Sequence, residues 1–186
     1  MKLVLVTGNK IKIAEATEVA REFGVEFEAR KIEVEEIQDR DAVRVTQAKA
    51  RRGYEVAGEP VMVHDSSWEI GDINGFPGAY MHDVAEWFSP ADWMRLMAGR
   101  EDRSIRLVQN IVYFDGAREQ VFRSESVGRF VDEPKGIDGN SIDKMVSFSE
   151  DGRTLAECHD EAGLVVRDKN MQVWIDFFKW YGEGAK

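Results

Sequence analysis

Apolar and polar positions follow two rhythms along this chain, and the change from one to the other marks out its elements. Lys2 to Val6 is apolar enough for a short buried strand, Thr7-Gly8-Asn9 turns, and residues 10–23 have helical spacing that ends near Gly24. Val25 to Ile32 reads as a second strand, with Val25, Phe27 and Ala29 on one face. Helical periodicity returns over 41–57 through Ala42, Val45, Ala48, Ala50 and Tyr54, and stops at Gly58. Pro60 to Val63 is a short all-apolar strand of the kind buried on both faces, and its end delivers His64-Asp65-Ser66. Trp68 to Ile73 reads as a further strand before Gly75-Phe76-Pro77-Gly78-Ala79-Tyr80, a rigid turn flanked by glycines.

Ser89-Pro90-Ala91-Asp92 has the form of a helix start, and that helix ends near Met97. Residues 104–114 and 118–130 read as two long strands joined at Asp115-Gly116, a good hairpin turn. Lys169 to Tyr181 is a final helix whose Met171, Trp174, Ile175, Phe178 and Tyr181 recur at core-facing intervals. The expected architecture is α/β: a mixed twisted sheet with a long antiparallel section and helices on both sides. It is expected to form one domain over residues 1–186, with two lobes around a central cleft.

Composition narrows the function. At 186 residues with 43% hydrophobic content, the chain can bury a full core without staples. A formal charge of −10 argues against a general nucleic-acid binder, which needs a surplus of Lys and Arg on some face. A small phosphorylated substrate stays open, because a few local cations and a divalent metal can bind it on an acidic protein. The one cysteine, Cys158, forms no internal disulfide and supplies no Cys-Cys zinc spacing, which is compatible with a reducing cytoplasm. Residues 1–15 lack the pattern of a signal peptide, and no apolar run approaches a membrane span.

A strand, a glycine-containing turn and a helix N-terminus bring backbone N–H groups and a positive dipole end to one point. An anion is therefore expected at Thr7, Gly8, Asn9 and Lys12, although an ordinary strand–turn–helix junction has the same outline. Carboxylates stand out at Glu33-Val-Glu35-Glu36, at Asp65 and at Asp143. Converging at strand ends beside such a turn, they would suit Mg²⁺, which takes one or two carboxylates plus phosphate oxygens and waters. Glu33 and Glu35 read as solvated surface charges. His64, His82 and His159 have no zinc-like spacing, and the P-loop, dinucleotide and GxSxG patterns are missing.

Taken together, these pieces resemble the Ham1 or ITPase family, the non-canonical purine nucleoside triphosphate pyrophosphatases. Thr7-Gly8-Asn9 through Lys12 to Glu15 matches that family's opening TGNxxKxxE, and Lys31 to Gln38 resembles its segment ending in E-x-Q. Val63-His64-Asp65-Ser66 falls where the family has V-E-D-[ST], Asn74 to Tyr80 matches the GxPG-x-Y turn, and Thr154-Leu-Ala-Glu157 resembles T-x-A-E. The resemblance implies hydrolysis of an inosine- or xanthosine-type triphosphate to the monophosphate and pyrophosphate, with Mg²⁺ or alternatively Mn²⁺, in a cytoplasmic homodimer. It implies Asp65 and Lys12 as catalytic residues and Glu36 and Asp65 as metal ligands. Substrate contacts would come from Thr7, Gly8, Asn9, Lys12, Ser66, Gly75, Phe76, Pro77, Gly78, Asp143 and Arg167.

Three departures cut into that expectation. His64 replaces a family carboxylate, leaving either a softer metal ligand or, in slight preference, a polar wall residue. The family's G-F-G-[YW]-D-P reads Gly139-Asn140-Ser141-Ile142-Asp143-Lys144, without the ring that would stack on the purine; Trp68 or Trp87 are candidates to replace it. The late S-H-R reads Val165-Val166-Arg167. The phosphate half of the site is kept and the base-reading half rewritten. Alternatives are a pyrophosphatase for a modified or non-purine nucleotide, and a nucleotide-binding module that has lost turnover.

Overall fold

The structure, a computed structural model, describes residues 2–162 and 169–184. In chain order the elements are β1 (Leu3–Val6), α1 (Lys10–Phe23), β2 (Phe27–Arg30), α2 (Ala42–Ala57), β3 (Val61–Ile70), β4 (Phe76–Gly78), α3 (Met81–Trp87) and α4 (Pro90–Met97). They continue with β5 (Ser104–Phe114), β6 (Glu119–Phe130), β7 (Val146–Ser147), α5 (Leu155–Ala162) and α6 (Gln172–Gly184). The strands form one mixed sheet in the order β2-β1-β3-β5-β6-β7, with β4 on β3. β1 runs parallel to β2 and β3, whereas β4 is antiparallel to β3 and β7 to β6.

The chain falls into two compact units, in keeping with the expected two lobes. The first takes residues up to Ser66, Gln109–Ser124 and the C-terminal helix. Its strand β1 and the opening Val61-Met62-Val63 of β3 are buried on both faces, as their all-apolar sequences dictate. On one face Val4, Val6, Val61, Val63 and Val112 meet Ala50 of α2, with Tyr54 and Phe114 packed at the side. Each buried valine contributes on the order of 1.5–3 kcal/mol. On the other face α6 buries Trp174, Phe177 and Phe178, and Phe177 stacks with Tyr181. The aromatic spacing of the final helix is thus a core stripe.

The second unit takes Ser67–Val108 and the chain from Glu125 to α5. Trp68, Trp93, Ile105, Leu107, Phe130, Ile142 and Met145 make its core. Helix α4 starts as its sequence predicts: Ser89 caps Asp92, Asp92 answers with its carboxylate, and Pro90 takes the first turn. The Thr154-Leu-Ala-Glu157 motif has the same logic at α5, where the Thr154 N–H donates to Glu157 (2.9 Å) and the Glu157 N–H to the Thr154 hydroxyl (3.2 Å).

Two expected strands, Pro60–Val63 and Trp68–Ile73, are one: β3 runs unbroken through His64-Asp65-Ser66. Asp65 therefore sits in mid-strand and not at a strand end. The polar triplet does not break the strand because alternation still gives each side chain a face. The second strand is shorter than expected and begins at Phe27, because Val25 closes α1 by donating its N–H to Ala20.

Candidate active site

The first unit gathers the charged groups at the junction of β1 and α1. Asn9 caps α1: its side-chain oxygen accepts from the N–H groups of Ile11 (2.8 Å) and Lys12 (3.4 Å), and its own N–H donates to the Thr7 hydroxyl (3.1 Å). Two of the helix N–H groups expected to hold an anion are thus already satisfied. Among the described residues the Asn9 amide NH₂ remains without a partner, and Gly8 beside it is exposed.

Lys12 rises from the first turn of α1 and anchors on β3. Its ammonium donates to the backbone oxygen of His64 at 2.9 Å and lies 3.6 Å from the Asp65 carboxylate. Burial pulls its pKa below the ordinary 10.5; Asp65 opposes the fall, Lys49 adds to it and Glu15 opposes it. The ammonium is therefore surrounded by the charges of Asp65, Lys49 and Glu15. Ser66 donates its N–H to the Asp65 carboxylate at 3.0 Å, which fixes that carboxylate beside Lys12.

Glu36 follows β2 in irregular chain and pairs with Lys49 of α2. Lys49 was not legible as a site residue from spacing alone. The available signal was its position four residues after buried Val45, on the helix face that packs inward, where a lysine needs a reason. Glu33 is exposed beside Lys31, as expected of a surface charge.

His64 does not serve as a metal ligand beside Asp65. Successive residues of a strand face opposite sides, and the His64 ring lies in the core, stacked on Trp174 at 4.6 Å and 23°. Burial, then the nearby Lys12 charge, pushes its pKa well below 6.5, so the ring is neutral. Neither ring nitrogen has a hydrogen-bond partner among the described residues. The Trp174 indole donates onward to Glu15 at 3.1 Å.

The second unit holds the remaining described candidates. Asn74 (φ 57°), Gly75 (80°) and Gly78 (62°) are left-handed, which is why this turn is built from Asn and Gly. Gly78 and Pro77 pair with Trp68 and Glu69 of β3, Pro77 is buried, and Phe76 keeps 36% of its surface exposed. Asp143 accepts from the Asn140 N–H at 2.9 Å, and burial raises its pKa. Ile142 is fully buried in the core, so it faces no ligand, while the Asn140 side-chain oxygen accepts from the N–H groups of Ile142 and Asp143. Trp68 is committed to the core against Phe148, whereas Trp87 is 73% exposed at the end of α3. Arg167 lies outside the described residues.

Among the described residues no three His, Cys, Asp or Glu side chains group closely enough to hold a metal ion by themselves. The donors present, Glu36 and Asp65, are hard carboxylates, each steadied by one lysine. Hard oxygen donors of this kind suit a divalent cation that completes its shell with phosphate oxygens and water.

The Ham1 family model matches residues 3–164 of the chain. A dITP/XTP pyrophosphatase of Methanosarcina mazei is 32% identical over 185 residues, covering 99% of both chains. A dITP/XTP pyrophosphatase of Methanopyrus kandleri is 29% identical over 182 residues, covering 96% of this chain and 97% of its own. Among solved structures, a HAM1 protein from Coxiella burnetii superposes with a TM-score of 0.83 at 22% identity, over 99% of this chain and 100% of that one.

Proposed function

The chain belongs to the Ham1 family, and on that footing we propose that it hydrolyses an inosine- or xanthosine-type nucleoside triphosphate to the monophosphate and pyrophosphate. The observation that carries the reading is the Lys12 ammonium held between the His64 carbonyl (2.9 Å) and the Asp65 carboxylate (3.6 Å). A cation tied down beside a carboxylate in mid-sheet does little for stability, since partly exposed pairs are worth about 0–1 kcal/mol. It does suit a reaction that needs phosphate charge neutralised next to a base. The names of relatives that match from end to end support the purine type.

In this reading Thr7, Gly8 and the Asn9 amide line the phosphate chain, and Lys12 and Lys49 neutralise it. Glu36 and Asp65 would hold Mg²⁺, with Mn²⁺ the alternative. The ion's contribution is to offset phosphate charge and polarise the phosphoryl oxygens. Asp65 orients the attacking water and accepts its proton. Ser66, the Gly75-Phe76-Pro77-Gly78 turn, Asp143 and Arg167 are assigned to the substrate on the resemblance, with residues 1–186 acting as one functional domain. The working form is proposed to be a cytoplasmic homodimer; no described helix is long and apolar enough to cross a membrane.

The test is pyrophosphate release from ITP and XTP with Mg²⁺. Asp65→Asn should lower kcat at least about a hundredfold, the scale of a lost general base. Near wild-type rates in that variant would remove Asp65 from the chemistry. Nucleotide binding without turnover by the unaltered protein would favour a binding module instead.

A further inference from the structure

Asn110, in β5, carries a carboxamide that the fold buries completely while leaving both its oxygen and its nitrogen without a hydrogen-bond partner among the described residues. A buried polar group left unpaired costs on the order of 1–3 kcal/mol. The flanking strand positions on the same face, Val108 and Val112, are valines and bear no such penalty. A strand that tolerates an amide between two valines implies a partner that arrives from outside the protein.

The position of Asn110 follows from strand register. Val63 of β3 and Val112 of β5 share one apolar cluster, while further on Glu69 and Arg106 of the same neighbouring strands form an ion pair at 3.4 Å. Between these two contacts β3 ascends in number by as much as β5 descends, so the strands are antiparallel. Two residues on from Val63 is Asp65, and two residues back from Val112 is Asn110. They are cross-strand neighbours on one face, with side chains about 5 Å apart at their bases. On the far side, Ser124 meets Gln109 across the β5–β6 pair, which sets Arg123 beside Asn110. A polar row, Asp65-Asn110-Arg123, thus crosses the sheet immediately beyond the valine cluster.

We propose that Asn110 is a further catalytic residue of this enzyme, its carboxamide holding the reacting end of the substrate beside Asp65. Its oxygen accepts from the attacking water, and its NH₂ donates to a non-bridging phosphoryl oxygen. The water oxygen forms the new bond to phosphorus at the α–β anhydride, and the bridging oxygen leaves with the bond's electron pair. The water's proton passes to Asp65 and on to solvent, giving monophosphate, pyrophosphate and one proton. This role rests on the pyrophosphatase reading and adds to it a donor–acceptor pair that the charged residues cannot supply.

Asn110→Val separates the role from a structural one, because the two predict opposite signs. With the amide gone, the free protein should melt at the same or a higher temperature. At saturating ITP its kcat should fall about a hundredfold, the scale of a lost oxyanion donor, with KM changed less than about twofold. Asn110→Thr, which keeps a hydroxyl, should fall between the two and serves if the valine variant does not fold. A lower melting temperature with wild-type kcat, or wild-type kcat in either variant, overturns the proposal and leaves the amide a structural role. If the unaltered protein releases no pyrophosphate from any triphosphate, the function reading itself falls. Turnover in the wild type with an unimpaired Asn110→Val breaks this inference alone.

Discussion

Lys12 is held by a carbonyl and a carboxylate, yet burial still lowers its pKa, and that combination makes substrate binding sensitive to pH. The free ammonium carries its charge below the lowered pKa and loses it above. A bound triphosphate favours the charged form, so the titration should appear in KM and not in kcat. We expect KM for ITP to rise on the alkaline side, earlier than an ordinary lysine would allow. Lys12→Arg, whose guanidinium does not deprotonate, should flatten that rise; a rise that persists in the arginine variant would assign it to another group. His64 makes the complementary prediction for stability. Its pKa lies well below 6.5 in the folded protein and near 6.5 in the unfolded chain, so the unfolded state takes up the proton first on acidification. Stability should be intact above about pH 6.5 and decline below it, by at most about 1.4 kcal/mol per pH unit. His64→Phe keeps a ring on Trp174 and should remove that decline in thermal melts recorded between pH 7 and 5. An unchanged slope would show that the imidazole is not its source. Lys12 and Asp65 were legible in the sequence because one follows a glycine turn at a helix start and the other follows an all-apolar strand. Lys49 and Asn110 were not: their meaning lies in which neighbours face them, and that needs helix packing and strand register.

At the level of elements, caps and turns are written in the local sequence, whereas strand ends are not. Asn9, Ser89 and the glycines at 24 and 58 mark helix limits through local chemistry, and they do so in the structure. The apolar pattern from Pro60 to Ile73 suggests two strands because His64-Asp65-Ser66 interrupts it. Pairing with β1 up to Met62 and with β4 from Trp68, beside β5, carries the strand across that interruption, and pairing is a tertiary effect. The hairpin at Asp115-Gly116 shows how tightly one turn is fixed: Gly116 has φ 94°, and a Cβ there would sit 2.4 Å from the Tyr54 hydroxyl. Gly116→Ala combines left-handed strain with overpacking and should cost about 2 kcal/mol or more. Chemical denaturation would measure it, and a loss below about 0.5 kcal/mol, the range of an ordinary surface change, would mean that the turn relaxes freely.

For the whole molecule, the sequence divides its legibility between the two units. The first unit carries the cation–carboxylate cluster, and most of it could be read from motifs. In the second, the glycine turn and Asp143 stand out in the sequence, but the ring expected on the purine has no counterpart at Ile142, which is core, or at Trp68, which is packed on Phe148. Base preference therefore has to be measured. The most direct test of the account is product analysis with ITP, XTP, dITP, ATP and GTP, each with Mg²⁺ and with Mn²⁺, for the wild type and Asp65→Asn. The account predicts monophosphate and pyrophosphate in equal amounts from ITP, dITP and XTP, much less from ATP and GTP, and loss of both products in the variant. Orthophosphate in place of pyrophosphate, or turnover that survives Asp65→Asn, would contradict it.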